Sequence, residues 1–155
     1  MRKKTTGNVN SGRGREPGER GTQPRKGTYN RDVPLRIEPL TEHADPRGSL
    51  LKLHPAPVEG EVYAVTAVPG ASRGHHLHRA MGEWFVAVSG QGSVGAVDPD
   101  SGEVHHVDLR GVRVYVPAGW AHALFATGEE PLIAIAMAER LHDPDDVFAQ
   151  RVPAP

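Results

Sequence analysis

No cysteine occurs among the 155 residues. Disulfides, thiolate nucleophiles and thiolate-bound metals are excluded, and the composition fits the cytoplasm, which is the expected compartment. Aromatic residues make up only 5% and apolar residues 37% of the chain. No apolar run approaches the ~20 residues of a membrane-spanning helix. The first residues also lack the apolar centre of a secretory leader, so no membrane partner is expected. What the chain has in excess is turn formers, Gly 18 and Pro 14, many of them in its first third.

The formal net charge of -1 hides an uneven distribution. Residues 1–30 carry eight basic side chains (Arg2, Lys3, Lys4, Arg13, Arg15, Arg20, Arg25, Lys26) against Glu16 and Glu19, with almost no apolar side chains. Such a segment buries too little surface to offset its chain entropy, and residues 1–32 are expected to form a disordered basic tail. It has no organising helix and no interleaved aromatics. It reads as a solvated extension, without a nucleic-acid partner.

One domain is expected over residues 33–150, with a frayed end at 151–155. From Leu35 the pattern is of short strands and turns. Strands are expected at 49–54, 61–68, 73–79, 83–89, 93–97, 103–109, 112–116, 122–127 and 131–138. Asp98-Pro99-Asp100-Ser101-Gly102 is a hairpin turn. Spacing near ten residues argues for an all-β sandwich or barrel. Trp84–Val88 and Leu132–Ala138 are apolar throughout and are expected to be buried on both faces. A short helical turn is expected within 143–148.

The chemistry-bearing pattern has two parts. Gly70 is followed by His76-Leu77-His78, Glu83 and Gly90; Gly111 is followed by Pro117-Ala118-Gly119 and His122. Residues two apart on a strand share a face, so His76 and His78 point together and Leu77 points away. Glu83 opens the next strand after a turn at Gly82. Pro117-Ala118-Gly119 re-aims the chain before His122. Three imidazoles and one carboxylate suit a single divalent ion such as Zn, Fe, Mn or Ni, with positions left for water or substrate.

This two-part pattern resembles the signature of the cupin superfamily. The first part matches at Gly70, His76, His78, Glu83 and Gly90, the second at Gly111, Pro117, Gly119 and His122. An asparagine often closes the second part; Ala126 stands there instead. The resemblance spans residues 35–140 and implies a double-stranded β-helix, the jelly-roll barrel, with His76, His78, Glu83 and His122 as metal ligands.

Arg73-Gly74-His75-His76-Leu77-His78-Arg79 and Asp45-Pro46-Arg47-Gly48 are similar to runs in cupins that modify nucleotide-linked 4-keto sugars. These are the dTDP-4-keto-6-deoxyhexose 3,5-epimerases, the 3,4-ketoisomerases and the cupin domain of capsular-polysaccharide enzymes. Residues 138–146 resemble the acidic end of the last of these. The resemblance implies an epimerase or isomerase of a nucleotide-linked 4-keto sugar in polysaccharide or glycoside biosynthesis, and a homodimer. The 3,5-epimerases proper use a histidine base, usually without metal. The matching residue here is His76, which is also the first expected ligand, and a liganded imidazole is a poor base.

In such a reaction a base removes a proton beside the keto group, and the resulting oxyanion must be stabilised. His76, Tyr63 and Tyr115 are the candidate catalytic groups, with His75 and an unliganded Glu83 as further bases. Arg73 and Arg47 are candidates for the diphosphate, and His75 for substrate contact. Two other functions fit the ligand set: a metal-dependent (Fe) cupin dioxygenase, and a non-enzymatic small-molecule-binding cupin.

Overall fold

The computed structural model describes residues 33–155; the basic tail lies outside the described residues. Two antiparallel sheets face each other. One holds β1 (Arg36–Pro39), β4 (Val62–Ala67), β6 (Glu83–Ser89), β9 (Val112–Val116) and β11 (Leu132–Ala138), in the order β1-β9-β6-β11-β4. The other holds β5 (Ser72–Leu77), β7 (Gly92–Val97), β8 (Val104–Asp108), β10 (Ala121–Ala126) and β12 (Phe148–Ala149), in the order β12-β5-β10-β7-β8. β2 (Thr41–Asp45) and β3 (Gly48–Lys52) form a separate hairpin. This is the expected jelly roll.

The strand pairing explains which side chains enter the space between the sheets. Directly opposed residues share a face. Phe85 opposes Val114 and Ala136, and all three lie in the inner core with Val94, Leu124 and Leu132. Their neighbours Trp84, Tyr115 and Met137 alternate outward into a second cluster under Leu53 and Val58. The apolar strand runs are therefore buried on both faces at Trp84–Val86 and Ala136–Ala138. That expectation fails at the strand ends beside each other, where Val88 is 45% and Ile133 36% exposed.

β6 and β9 coincide with the expected ranges, and the Asp98–Gly102 turn closes with Asp98 N donating to Glu103 O at 2.9 Å. β1 and β2 fall outside the expected strand ranges and are polar and largely exposed. The expected helical turn is a 3-10 turn at Pro144–Asp146, capped by the Asp143 side chain on Asp145 N. Fraying beyond residue 150 is corrected at Val152. It is 1% exposed and packs with Ala121, Ala123 and Phe125, because β10 presents those side chains on the outer face. Among the described residues no helix is long and apolar enough to cross a membrane.

Candidate metal centre

His76, His78, Glu83 and His122 converge, with ligand atoms all within 4.8 Å of one another. Three strands deliver them. His76 is the penultimate residue of β5, opposite His122 on β10, His78 directly follows the strand, and Glu83 opens β6 in the facing sheet. Two devices fix the approach. Gly119, at φ 89°, lets the turn before β10 fold back, and its N donates to His78 O at 2.6 Å. The second is a β-bulge. His122 opposes His76, but Ala123 opposes Gly74, leaving His75 as the extra residue. Gly74 at φ 104° and His75 at φ 62° make the kink.

The bulge reverses the face parity of β5. Simple alternation groups Arg73 with His75, away from the ligands. In the structure Arg73 opposes Leu124, an inner-face residue, and so shares the ligand face. His75 is turned outward. Its ring meets Phe125 edge-on, bonds Ser72 Oγ at 2.8 Å and accepts from Val152 N at 3.2 Å.

Each ligand is held from behind. His78 Nδ1 lies 3.0 Å from Asp146 O, and His122 Nδ1 lies 3.2 Å from Trp120 O. The His76 ring bonds the Gly74 backbone. Carbonyl partners assign the proton to Nδ1 of His78 and His122, which leaves both Nε2 lone pairs facing inward. Tyr63 Oη donates to Glu83 Oε1 at 2.5 Å. Glu83 Oε2 has no hydrogen-bond donor of its own, although it is buried, and stands 2.9 Å from His122 Nε2 and 3.5 Å from His78 Nε2. A carboxylate oxygen facing two imidazole lone pairs is a set of acceptors around a point that calls for a cation. These residues fit a divalent metal.

The electrostatics agree. Burial pushes the His76 imidazole down to about 4, assisted by His122 and His78 and opposed by Glu83. His78 is lowered chiefly by burial, against the pull of Glu83. Burial would raise Glu83, but hydrogen bonding and charge from His122, with Tyr63 and His78, outweigh it and hold the carboxyl at about 2. A neutral His76 and His78 and an ionised Glu83 are protonation states a metal needs. Burial, reinforced by Glu83, raises Tyr63 well above the ordinary phenol range, so it stays a donor.

The centre opens into a cavity of about 300 Å³ lined by Glu61, Tyr63, His76, His78, Met81 and His142, among others. His142 had not been singled out in the sequence; only its place in the acidic run pointed to it. Four expected site residues outside the ligand set are absent from this lining, and one of them, Arg73, is exposed although it shares the ligand face by register. Tyr115 is 5% exposed on the outer face of β9, where its Oη donates to Glu139 Oε1 at 2.8 Å. Strand parity puts it opposite Trp84, not Glu83. Arg47 is exposed at the β2–β3 turn and paired with Asp45 at 2.5 Å, outside the cavity lining. His75 is turned away as described.

The sandwich and its three-histidine, one-glutamate centre define a cupin. Residues 43–148 match the polysaccharide biosynthesis C-terminal domain family, and the chain belongs to it. A UDP-2-acetamido-2,6-beta-L-arabino-hexul-4-ose reductase from Pseudomonas aeruginosa is 24% identical over 119 residues, covering 75% of this chain and 30% of that protein. A glucose-6-phosphate isomerase from Pyrococcus horikoshii is 37% identical over 76 residues, 46% of this chain and 40% of the relative. The chain thus spans about a third of the curated relatives' length. In solved structures the fold recurs in a dTDP sugar isomerase from Desulfovibrio desulfuricans, with TM-score 0.70, 19% identity, and coverage of 78% of this chain and 86% of that one.

Proposed function

We propose that this cupin is an epimerase or isomerase of a nucleotide-linked 4-keto sugar, acting in polysaccharide or glycoside biosynthesis. The observation that carries the reading is the cluster of acceptors at His76, His78, Glu83 and His122, two of which, His76 and His78, line a cavity of about 300 Å³. That volume is at the small end of ligand pockets and suits a sugar ring, with the nucleotide outside. Family membership supports a place in polysaccharide biosynthesis.

A divalent ion such as Zn, Fe, Mn or Ni would be held by His76, His78, Glu83 and His122 and would supply Lewis acidity. The chain's residues do the rest. Tyr63 keeps Glu83 aimed and ionised. His76, with its ring bonded to Gly74 and its proton affinity depressed, serves as ligand and not as base at neutral pH. Arg73, opposite Leu124 and exposed beyond the cavity lining, is the proposed contact for diphosphate oxygens, since a guanidinium suits a bidentate contact. Two copies of the chain are expected to pair, which light scattering tests.

A second reading is aldose–ketose isomerisation of a sugar phosphate. It is favoured by the 37% identity to the archaeal glucose-6-phosphate isomerase. Both readings move a proton beside a carbonyl. The test is elemental analysis together with turnover of dTDP-4-keto-6-deoxyglucose, a UDP-linked 2-acetamido-4-ketohexose and glucose 6-phosphate in D2O. Stoichiometric metal with deuterium in one of the nucleotide sugars supports the first reading, and deuterium only in the phosphate the second. Substrate-dependent oxygen uptake without exchange makes the protein an oxygenase. Binding without exchange makes it a binding protein.

A further inference from the structure

Sugar isomerisation at this centre needs a group that takes a proton from carbon, and the ligands cannot supply it. Nδ1 of His78 and of His122 is bonded to a carbonyl and Glu83 Oε1 to Tyr63, and a bound metal would take the Nε2 atoms and Glu83 Oε2. His75 and Tyr115 face away from the cavity. Met81 carries no exchangeable proton. Among the described lining residues this leaves Glu61, Tyr63 and His142. Tyr63 is spent on Glu83. Glu61 sits close enough to raise the Tyr63 phenol, and a carboxylate there opposes the approach of an anionic substrate.

His142 is different. It lies on the cavity rim, in a segment pinned at both ends to the turn that joins the ligand strands. At one end Glu139 Oε2 accepts from Gly82 N at 2.8 Å, and Glu139 N donates to Gly82 O at 3.1 Å. At the other, the Asp146 carboxylate accepts from Arg79 N at 2.9 Å and Ala80 N at 3.0 Å. The same Asp146 offers its carbonyl to His78. His142 is therefore carried on a strap tied to the turn that positions His78 and Glu83, while its own ring is kept out of the ligand set.

We propose that His142 is the group that removes and returns the proton beside the substrate carbonyl, an assignment that rests on the isomerase reading above. The imidazole nitrogen takes the proton. The C–H electron pair becomes the carbon–carbon double bond of the enediolate, and the carbonyl pair moves onto oxygen. For isomerisation the proton returns to the former carbonyl carbon while the neighbouring hydroxyl proton passes from one enediolate oxygen to the other, which leaves the imidazole neutral, so no co-reactant is consumed. Imidazole is the side chain suited to both halves of that exchange near neutral pH.

The experiment uses the full chain loaded with zinc and the three carbonyl sugars named above, with deuterium uptake read by mass spectrometry. H142Q and H142A are expected to lower exchange by roughly 100-fold or more, the range for a lost general base. Zinc stoichiometry and sugar affinity should be unchanged. Added imidazole should restore part of the rate in H142A and none in E61Q, a response that a structural role would not give. Exchange by H142A within about threefold of the unsubstituted protein overturns the assignment alone. So does a loss that follows zinc out of the site or ignores added imidazole. No exchange by the unsubstituted protein on any of the three sugars overturns the isomerase reading, and this assignment with it.

Discussion

Glu83 Oε2 stands 2.9 Å from His122 Nε2, while the Nδ1 atom of the same ring lies 3.2 Å from Trp120 O. The ring's one neutral-state proton is spent on the carbonyl, so an oxygen and a nitrogen lone pair face each other in a buried site. A bare arrangement of this kind is costly, and a bound cation removes the cost. Zinc or a similar ion is accordingly expected to raise Tm by the binding linkage, worth about 4 kcal/mol at a thousandfold excess over Kd. The double substitution H76A/H122A should abolish both stoichiometric binding and the Tm rise, with the far-ultraviolet β spectrum retained. A double variant that still binds one equivalent would refute the ligand set.

The metal-free protein is expected to lose stability as pH falls. His76 drops from an ordinary 6.5 to about 4 on folding, so the unfolded chain binds the extra proton between those values. Its contribution is complete above pH 6.5 and is lost on the way down to about 4. Glu83, at about 2 against an ordinary 4.5, adds a loss below pH 4.5. Both signs agree. Thermal unfolding from pH 8 to pH 4, at constant ionic strength with a chelator, should show Tm flat and then falling from about 6.5. A Tm that rises on acidification would contradict the protonation states described.

Tyr63→Phe removes the donor to Glu83 Oε1 without changing the shape of the cavity. Metal affinity should fall roughly 10- to 100-fold, as for other groups that orient a ligand from behind. Isothermal titration with zinc measures it. An unchanged affinity would show that Glu83 needs no support.

Tyr115→Phe separates the two tyrosines. Its hydroxyl reaches Glu139 on the outer face, so its loss should cost about 1 kcal/mol of stability. Turnover should stay within about threefold of the parent, since no cavity contact is lost. A large loss of turnover at unchanged Tm would place Tyr115 in the reaction after all.

Arg73→Ala and Arg47→Ala test the bulge. With Arg73 on the ligand face, its truncation should weaken nucleotide-sugar binding by roughly 10- to 100-fold, the worth of charge-assisted hydrogen bonds. Arg47, paired with Asp45 at the β2–β3 turn, should be silent. Equal effects from the two would mean that the parity reversal does not govern substrate contact.

Much of this was legible in the chain. The ligand set needed only period-two spacing, one turn at Gly82 and another at Pro117–Gly119. The apolar runs located β6 and β11, because buried strands leave long hydrophobic signatures. β1, β2 and β12 left none. Arg36–Pro39 and Thr41–Asp45 are polar and exposed, and Phe148–Ala149 is a strand only by pairing with Leu77 and His76. Where Arg73, His75 and Tyr115 point was not legible either. Alternation has a phase as well as a period, and one bulged residue resets it.

The sequence by itself determined the fold class and the four residues of the His–Glu cluster, since both follow from local periodicity and turn chemistry. Tertiary structure decided the remainder. It put Tyr63 in the cavity lining and Tyr115 on the outer face of β9. It tied Val152 into the outer face of β10, and it brought His142 over the cavity from 64 residues beyond His78. Those outcomes depend on contacts between strands far apart in the chain, and no local pattern encodes them.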